Sequence, residues 1–476
     1  KLDTTPLELI MEREGEMPSV LSFPGKVTAA PDGERLFITD SNHNRILIVS
    51  LPEGKILEVI GGKSAGWEDG SFQEAKFNHP QGTELVGDAL YIADTENHLI
   101  RKADLSARRV ETVAGIGRQA RFMENPKQEA KETALNSPWD LVEHEGKLYI
   151  AMAGPHQIWR YDIASGNIAV HAGSGRENIT DGPLKSAALA QPSGITTDGK
   201  GLFFADSEVS AVRYADIDPD GLVVTLVGEG LFEFGDIDGK ANEVRLQHPL
   251  GIVYYQDYLF VADTYNNKIK IIDPSKRMAQ TFAGTGDEGS EDGLFDKATF
   301  DEPGGIDAGP DGKLYVADTN NHLVRILDPE SGVVSTLTLT GLEKLPVSAE
   351  THSPQAKAIP ERRICPGKGQ VTVSIKLPRG YKLSPGAPVR LEVTCGDTGV
   401  VSCENSAVEK EDRIVSLPVE WRRGRTDIGI ELTYYYCAED REGLCYFGSQ
   451  KWVSPVEIDD KCEGTSLTIE HQVREP

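Results

Sequence analysis

Leu36-Phe-Ile-Thr-Asp-Ser-Asn-His-Asn-Arg45 is a segment that returns along the chain at a regular spacing. A late copy, Leu314-Tyr-Val-Ala-Asp-Thr-Asn-Asn-His-Leu323, keeps the same order of apolar run, aspartate and polar turn. The aspartate position, here called the marker, has a period of about 56 residues and is occupied by Asp40, Asp94, Met152, Asp206, Asp263 and Asp318. Such a period is typical of stacked units that each bury an apolar face against a neighbour.

Each copy has the pattern of a four-stranded antiparallel blade, because four short β-branched and aromatic runs alternate with turn residues. A proline opens every copy, and in most copies a glycine follows two residues later. The opening prolines are Pro24, Pro80, Pro138, Pro192, Pro249 and Pro303. We therefore predict an all-β fold with a six-bladed β-propeller over residues 21–340. An N-terminal segment of residues 1–20 precedes it, of which residues 6–11 are predicted to lie along the edge of the ring.

The motif Ala-Asp-Thr-x-Asn-His-x-[Ile/Val]-[Arg/Lys], together with the opening proline, resembles the NHL repeat, whose members form six-bladed propellers. Ala151–Trp159, Leu189–Ile195 and Leu246–Ile252 resemble more narrowly the proteins that carry a thioredoxin-like domain before the propeller and a β-domain after it. The resemblance implies a thioredoxin-like domain or protein as partner. That domain is expected to be absent here, because residues 1–20 are too few to form it.

The marker aspartates are predicted to be structural. A carboxylate at the end of a strand can accept hydrogen bonds from the backbone of the following turn. The asparagine three residues later is expected to adopt the left-handed conformation of a tight hairpin. One alternative is calcium at Asp236-Ile-Asp-Gly239, which resembles the start of a calcium loop but lacks its later acidic residue.

The charge of the chain narrows the range of partners. The net charge is −26, and residues 355–476 contain 17 Lys+Arg and 19 Asp+Glu, so nearly all of the excess lies in the propeller. An acidic propeller is expected not to bind nucleic acid, since that affinity depends mainly on neutralising phosphates. No apolar run approaches the roughly 18 residues of a membrane span, so we predict no membrane insertion.

All six cysteines lie in the last quarter of the chain, which indicates a separate, cysteine-rich domain. We predict a linker over residues 341–364 and an immunoglobulin-like β-sandwich over residues 365–476, since six or seven short strand patterns follow one another there. No Cys-x-x-Cys pair is present, so ordinary zinc spacing is lacking. Six cysteines allow fifteen pairing schemes, and proximity along the sequence favours Cys437/Cys445 and Cys395/Cys403, which leaves Cys365/Cys462 as the third pair.

The segment Ile428–Tyr446 is similar to the amino-terminal domain of the DsbD thiol-disulfide reductase. By that resemblance Cys437 and Cys445 form a redox-active pair, although the loop between them is longer here. Cys395/Cys403 and Cys365/Cys462 are predicted to be structural disulfides. The chain is accordingly predicted to be an extracytoplasmic protein-interaction platform linked to thiol-disulfide exchange, with a protein client that the sequence does not identify.

A competing hypothesis places a small-molecule site in the propeller. The third copy breaks the repeat at Met152, and His156 and Trp159 occur where other blades have aliphatic or polar residues, so these three are candidates for facing a ligand. His79 and His248 lie beside opening prolines and are candidates for the central channel. Lyases and lactonases with propeller folds hold a metal there. In this alternative the chain is a metal-dependent enzyme that uses calcium or zinc, whereas the main hypothesis requires no cofactor.

Overall fold

The structure is a computed structural model that describes residues 20–62, 64–121, 126–345, 357–383, 389–395, 399–403, 409–411, 413–438, 445–462 and 464–473. The side chains of residues 343, 395, 403, 409–411, 438, 445–447 and 449 are outside the description. Residues 6–11, which are predicted to lie along the edge of the ring, are outside the described residues. Two compact units are present, one of Leu21–Thr351 and one that contains His352–Pro476.

Both units are built from β-strands, which confirms the predicted all-β class. Helical structure in the described ranges is limited to 3-10 turns of three residues. None of the helices in those ranges is long and apolar enough to cross a bilayer.

Six antiparallel sheets make up the first unit, each with four main strands hydrogen-bonded in chain order. Blade 1 consists of β1 (Pro24–Ala29), β2 (Arg35–Asp40), β3 (Arg45–Ser50) and β4 (Ile56–Gly61). Blade 2 consists of β5 (Gly70–Ser71), β6 (Pro80–Val86), β7 (Ala89–Asp94), β8 (Leu99–Asp104) and β9 (Arg109–Ala114). Blade 3 consists of β10 (Pro138–His144), β11 (Lys147–Met152), β12 (Gln157–Asp162) and β13 (Ile168–Ala172).

The other three blades, like blade 2, each have a short fifth strand at the outer edge. Blade 4 consists of β14 (Gly182–Pro183), β15 (Pro192–Thr197), β16 (Gly201–Asp206), β17 (Ala211–Asp216) and β18 (Leu222–Val227). Blade 5 consists of β19 (Gly239–Lys240), β20 (Gly251–Tyr255), β21 (Tyr258–Asp263), β22 (Lys268–Asp273) and β23 (Met278–Ala283). Blade 6 consists of β24 (Gly293–Leu294), β25 (Pro303–Ala308), β26 (Leu314–Asp318), β27 (Leu323–Asp328) and β28 (Val333–Thr336).

The innermost strands close the six sheets into a ring. The strands β1, β6, β10, β15, β20 and β25 contact one another in this order, and β25 contacts β1. The second strand of every blade is almost wholly buried, as in β16, because both of its faces pack against neighbouring blades. Such strands read as continuous apolar runs, and this explains why the segments before the markers dominate the sequence pattern.

The end of the propeller chain also contributes to ring closure. Blade 6 is completed by its own strand β28. The chain then continues to blade 1, where Thr340 forms a parallel bridge with Lys55. The Thr340 amide donates to the Gly54 carbonyl, and the Ile56 amide donates to the Thr340 carbonyl. The first and last blades are therefore joined at the outer edge as well as at the centre.

The second unit consists of two sheets that share one apolar core. The first sheet contains β29 (Lys357–Ala358), β30 (Arg362–Ile364), β32 (Tyr381–Leu383), β33 (Arg390–Cys395), β37 (Gly424–Ala438) and β38 (Cys445–Ile458). The second contains β31 (Gly367–Lys376), β34 (Val401–Cys403), β35 (Glu409–Glu411), β36 (Ile414–Trp421) and β39 (Ser466–Gln472). This is a β-sandwich, and its immunoglobulin-like classification stays a prediction.

The boundary of the second unit differs from the predicted one. Residues 341–364 were expected to be linker, but β29 and β30 lie in that range and both pair in parallel with β38. The sequence pattern missed them because each is only two or three residues long. Within the described residues, the second unit therefore begins at Lys357 and not at residue 365.

Candidate functional site

The marker aspartates are anchors of the blades. Asp94 is fully buried, and its Oδ1 accepts the backbone N–H of Asn78 at 2.8 Å. Its Oδ2 accepts hydrogen bonds from Asn97 Nδ2 at 2.9 Å and from Arg101 Nη1 at 2.8 Å. Four other markers accept an equivalent backbone N–H, donated by Ser22, Ala190, Gln247 and Asp301. The structural role of the markers is as predicted. The predicted hydrogen-bond donor was wrong, because the donating N–H belongs to the segment before the opening proline of the same blade and not to the turn after the marker.

The cation seven residues after the marker is buried with it. Arg101, Arg213 and Arg325 have no exposed surface, and each bridges its marker to an aspartate in the preceding loop, namely Asp69, Asp181 or Asp292. A buried carboxylate is stable only when it is paired and hydrogen-bonded. The recurring Asp-Gly loops are therefore ion-pair partners of the blade cores.

Lys270 occupies this cation position in blade 5, where the calcium loop was considered. Its Nζ lies 2.5 Å from Asp236 Oδ1 and 2.8 Å from Asp238 Oδ1. Lys268 also pairs with Asp236. The two carboxylates are thus neutralised by lysine ammonium groups, so the calcium interpretation of Asp236–Gly239 is wrong for this geometry.

A hydrogen bond from each blade to the next explains why the residue four positions after the marker has a side-chain acceptor. These residues adopt a left-handed conformation and accept the backbone N–H that precedes the next opening proline. We call this set the clasp ring; its acceptors are Asn44, His98, His156, Ser210, Asn267 and His322. The left-handed residue was predicted one position too early. The asparagine three residues after the marker lies in a 3-10 turn and bonds the marker instead, as Asn97 and Asn266 do.

Histidine in the clasp ring must be neutral, because its Nδ1 accepts a hydrogen bond. His322 Nδ1 accepts the Phe23 N–H at 3.0 Å, and burial lowers the pKa of His322 to about 4. Burial also lowers the pKa of His98. These histidines hold blades together and are poorly suited to binding a ligand.

The third blade departs from the repeat without forming a ligand site. Met152 is fully buried and Trp159 is 2% exposed, and both belong to an apolar core shared with blade 2. They occupy the two positions that hold the aspartate and the arginine in blades 2, 4 and 6. The expectation that Met152, His156 and Trp159 face a ligand is therefore wrong, because two pack in the core and His156 is a clasp acceptor.

His79 and His248 do not line the channel. Each precedes an opening proline and has a positive φ, as do Phe23, Ser137, Gln191 and Glu302 at the equivalent positions. His79 is exposed, and His248 stacks on Tyr265 with ring centroids 4.8 Å apart. Their prediction as channel ligands is wrong, because the residues that line the centre come after the opening prolines, as Gln81 and Gly82 or Leu250 and Gly251 do, and not before them.

The channel is closed at its centre by a buried ion pair. Lys26 Nζ lies 2.6 Å from both carboxylate oxygens of Asp140 on the third blade. The remaining blades have glycine two residues after the opening proline, and a Cβ at Gly82 would lie 2.4 Å from Asp140 Oδ1. The space left there is about 10 Å³, near the minimum for one water. A small-molecule substrate does not fit at this level of the channel.

Acidic groups surround this ion pair. Glu84 accepts the Glu143 N–H, and Asp307 accepts the N–H groups of Ala29 and Ala308. Burial raises the pKa of Glu84 to about 8 and that of Asp307 to about 6. Burial opposes the charge of Lys26, but the neighbouring carboxylates raise its pKa overall. The channel therefore holds one cation among three carboxyl groups.

The sequence carried a signal for this cluster that was not used. Glycine follows the opening proline by two residues at Gly82, Gly194, Gly251 and Gly305, and the two exceptions are Lys26 and Asp140. Opposite charges at the two exceptions of a repeat predict that they meet. No set of three metal-ligating side chains is present among the residues that the structure describes.

The cysteines are partly described. Cys365 and Cys462 form a disulfide with a Cα–Cα distance of 5.0 Å, in agreement with the predicted pairing. Cys437 is also disulfide-bonded. In the hairpin of β37 and β38, Cys445 lies opposite Cys437. The side chains of Cys395, Cys403 and Cys445 are outside the description, so the pairings Cys395/Cys403 and Cys437/Cys445 stay predictions.

Aromatic side chains lie next to the Cys437 end of the hairpin. Tyr434 and Tyr436 are each 2% exposed, and Tyr436 packs on Tyr381 of β32 at 5.7 Å between ring centroids. The buried Tyr434 hydroxyl lies 2.7 Å from His471 Nε2. Lys382 of β32 is exposed and lies opposite Cys437 in the sheet register. Cys437 alternates with Tyr436 along β37, so it projects from the opposite face of the sheet, the face that it shares with Lys382.

Comparison with known proteins places these features in a family. The NHL repeat model matches residues 300–327. NHL repeat-containing protein 2 of Gallus gallus is 37% identical over 514 residues, covering 95% of this chain and 70% of that protein. The human protein of the same name is 36% identical, covering 95% of this chain and 69% of its own length. A crystal structure of an auxiliary nutrient binding protein from Bacteroides thetaiotaomicron is similar with a TM-score of 0.48 and 14% identity, over 67% of this chain and 70% of that one.

A closed ring of NHL-type blades, held by ion pairs and clasps and followed in the chain by a β-sandwich, defines a β-propeller protein of the NHL-repeat class. The chain belongs to the NHL repeat-containing protein 2 family.

Proposed function

We propose that this protein is an interaction platform linked to thiol-disulfide exchange. In this proposal the propeller holds a protein partner, and Cys437 and Cys445 form the exchanging pair. The carrying observation is that Cys437 is disulfide-bonded at the loop end of a hairpin, where Cys445 occupies the facing position. Facing residues in adjacent antiparallel strands have Cβ atoms about 4.5–5.5 Å apart, close to the spacing that a disulfide needs.

The chemistry requires a dithiol partner of thioredoxin-like type. A partner thiolate attacks Cys437 Sγ, the bond to Cys445 breaks, and Cys445 leaves as a thiolate that takes up a proton. The second partner thiolate then resolves the mixed disulfide and releases Cys437. Two electrons pass to this protein and the partner becomes a disulfide. Lys382 opposite Cys437 favours the thiolate form of the released cysteine.

The propeller supports the platform part of the proposal. Its centre is filled by the Lys26–Asp140 pair, and its candidate ligand residues pack in the core or clasp blades together. The outer faces of the ring are therefore the surfaces left for binding. An extracytoplasmic location is part of the proposal, because the Cys365–Cys462 disulfide suits an oxidising compartment.

The test compares the two disulfides in one molecule. Differential alkylation across a glutathione series should show Cys437 opening at a less reducing potential than Cys365–Cys462. A structural pair typically has a potential below roughly −300 mV, and an exchanging pair lies higher. If Cys437 stays oxidised after Cys365 and Cys462 have become reduced, the exchange function fails.

A trapping experiment gives an independent reading. Cys445→Ser leaves Cys437 as a free thiol; once that thiol is converted to its thionitrobenzoate mixed disulfide, the attacking thiolate of a thioredoxin that lacks its resolving cysteine should displace thionitrobenzoate and stay bonded to Cys437. Cys462→Ser is the matched control, since it exposes one thiol of the structural pair. Equal trapping by both variants would show that any free thiol suffices and would contradict a dedicated pair.

A further inference from the structure

An aromatic groove lies between blades 4 and 5 of the propeller, away from the channel. Its volume is about 570 Å³, and its lining comes from strands and turns of these two blades alone. Phe203 and Leu226 are buried at its base. Phe203 stacks on Tyr254 with ring planes 3° apart and centroids 5.7 Å apart, and it also contacts Tyr214 at 5.2 Å. The result is a surface of three neighbouring aromatic rings.

Carboxylates surround this aromatic surface. Asp198, Asp257 and Asp273 line the groove, and Tyr258 at its edge is 40% exposed. Asp257 Oδ1 accepts the Tyr254 hydroxyl at 3.0 Å, which fixes this carboxylate beside the stacked rings. Burial, followed by the hydrogen bond to Asp257, raises the pKa of Tyr254.

The nearby cations do not neutralise the groove. Lys276 pairs with Asp273 at 2.6 Å, which leaves the carboxylates of Asp198 and Asp257 as the uncompensated charges among the lining residues. Lys200 lies in the same turn as Asp198 but is not a lining residue. The propeller as a whole is strongly acidic. A cationic partner would therefore be attracted to this side of the molecule at long range and at contact.

We propose that this groove binds an arginine side chain from an extended segment of a protein partner. A guanidinium is planar, stacks on aromatic rings and pairs with carboxylates through fixed N–H donors. These are the two kinds of surface that the groove combines. The proposal rests on the platform function and specifies the chemistry of the partner that the propeller holds.

Fluorescence anisotropy with the full chain tests the assignment. The probe is a fluorescein-labelled Gly-Ser-Gly-Arg-Gly-Ser-Gly peptide, compared with the same peptide containing neutral citrulline. The arginine peptide should bind weakly but saturably, and the citrulline peptide about tenfold more weakly, because it stacks without a charge. Equal binding of the two peptides, or no saturable binding up to millimolar protein, overturns the proposal.

Variants locate the site. Asp257→Asn and Tyr254→Leu should each weaken binding about three- to fivefold, whereas Tyr254→Phe keeps the ring and should bind within about twofold of the parent. Glu145→Gln is the matched control, since it removes one exposed charge from the corresponding turn of blade 3. A loss with Glu145→Gln equal to that with Asp257→Asn would show a diffuse charge effect and overturn the site. The thiol measurements do not depend on this groove, so failure here leaves the exchange test intact.

Discussion

Blade 3 and the blades beside it fill the same two buried positions with opposite chemistry. Blades 2 and 4 place an aspartate and an arginine there, joined at 2.8 Å without solvent exposure. Blade 3 places Met152 and Trp159 there, in an apolar core. Both solutions satisfy the same requirement, since a buried position must hold either a fully paired charge or no charge. Joint loss of the marker aspartate and its cation therefore does not by itself indicate a ligand site.

The same comparison extends to the contacts between blades. Outside blade 3, the hydroxyl after each marker donates to the carbonyl of the next opening proline, as Thr95 does to Pro138 at 2.7 Å. Ala153 has no hydroxyl at that position, yet blade 3 keeps its clasp through His156. Blade 3 thus lacks the hydrogen bonds made by the marker aspartate and by the hydroxyl that follows it. It keeps the clasp, in which His156 accepts the Gln191 N–H.

The largest expected effect on stability comes from replacing only the arginine of a buried aspartate–arginine pair with the apolar residue of blade 3. Arg213→Trp leaves Asp206 buried without its cation, which should cost about 3–5 kcal/mol of unfolding free energy. Asp206→Met combined with Arg213→Trp copies blade 3 and should cost clearly less than the sum of the two single changes. Urea denaturation of all four proteins gives the coupling energy. Additive single effects would show that the two positions do not act as a pair.

A second experiment applies the comparison to the channel. Lys26→Met should cost about 3 kcal/mol, because Asp140 remains buried beside Glu84 and Asp307 with only backbone donors. Lys26→Met combined with Asp140→Asn removes both charges and should recover most of the loss. Thermal unfolding followed by tryptophan fluorescence reports the difference. A double variant as unstable as the single one would mean that lost packing, not an unpaired charge, is the cause.

The contribution of ring closure at blade 1 to stability can be separated from the cost of placing a side chain in a strained turn. Gly54 has φ of +65°, and a Cβ there would lie 2.1 Å from the Thr338 carbonyl oxygen. Gly54→Ala should cost about 2–3 kcal/mol, against about 1 kcal/mol for Gly87→Ala, which has a similar φ and open space. Hydrogen exchange at the Ile56 amide should accelerate in the first variant only. Equal effects would indicate that the bridge to Thr340 adds nothing to stability.

The smallest expected effect is a loss of stability at acidic pH that comes from a histidine of the clasp ring. The pKa of His322 is about 4 when folded and about 6.5 when unfolded, so its contribution to stability is present above pH 6.5 and is lost as the pH falls toward 4. His322→Asn copies the acceptor of blades 1 and 5 and should reduce the loss between pH 7 and 5 by about 1–2 kcal/mol. Denaturation of both proteins at each pH isolates this group, since Asp40, His43 and Asp307 are common to both. Parallel pH profiles would contradict the acceptor role.

Much of the architecture followed from the sequence, for reasons that particular residues illustrate. The buried second strands read as apolar runs before each marker, and Pro24 or Pro80 marks a strand start because proline cannot donate within a ladder. The Cys365–Cys462 pairing followed by elimination, once the four other cysteines were grouped by proximity along the chain. The short strands β29 and β30 were missed, because pairs of residues such as Lys357 and Ala358 carry no periodicity.

The sequence by itself determined the repeat, its period and the strand order, because these depend on local hydrophobic patterning that each blade repeats. It also determined the acidity of the propeller and the separation of the cysteine-bearing unit. Only the tertiary structure decided which residues meet. Lys26 and Asp140 are 114 positions apart, His322 contacts Phe23 across the ring closure, and the groove between blades 4 and 5 joins side chains from two repeats. Such contacts depend on how the ring closes, which no local pattern encodes.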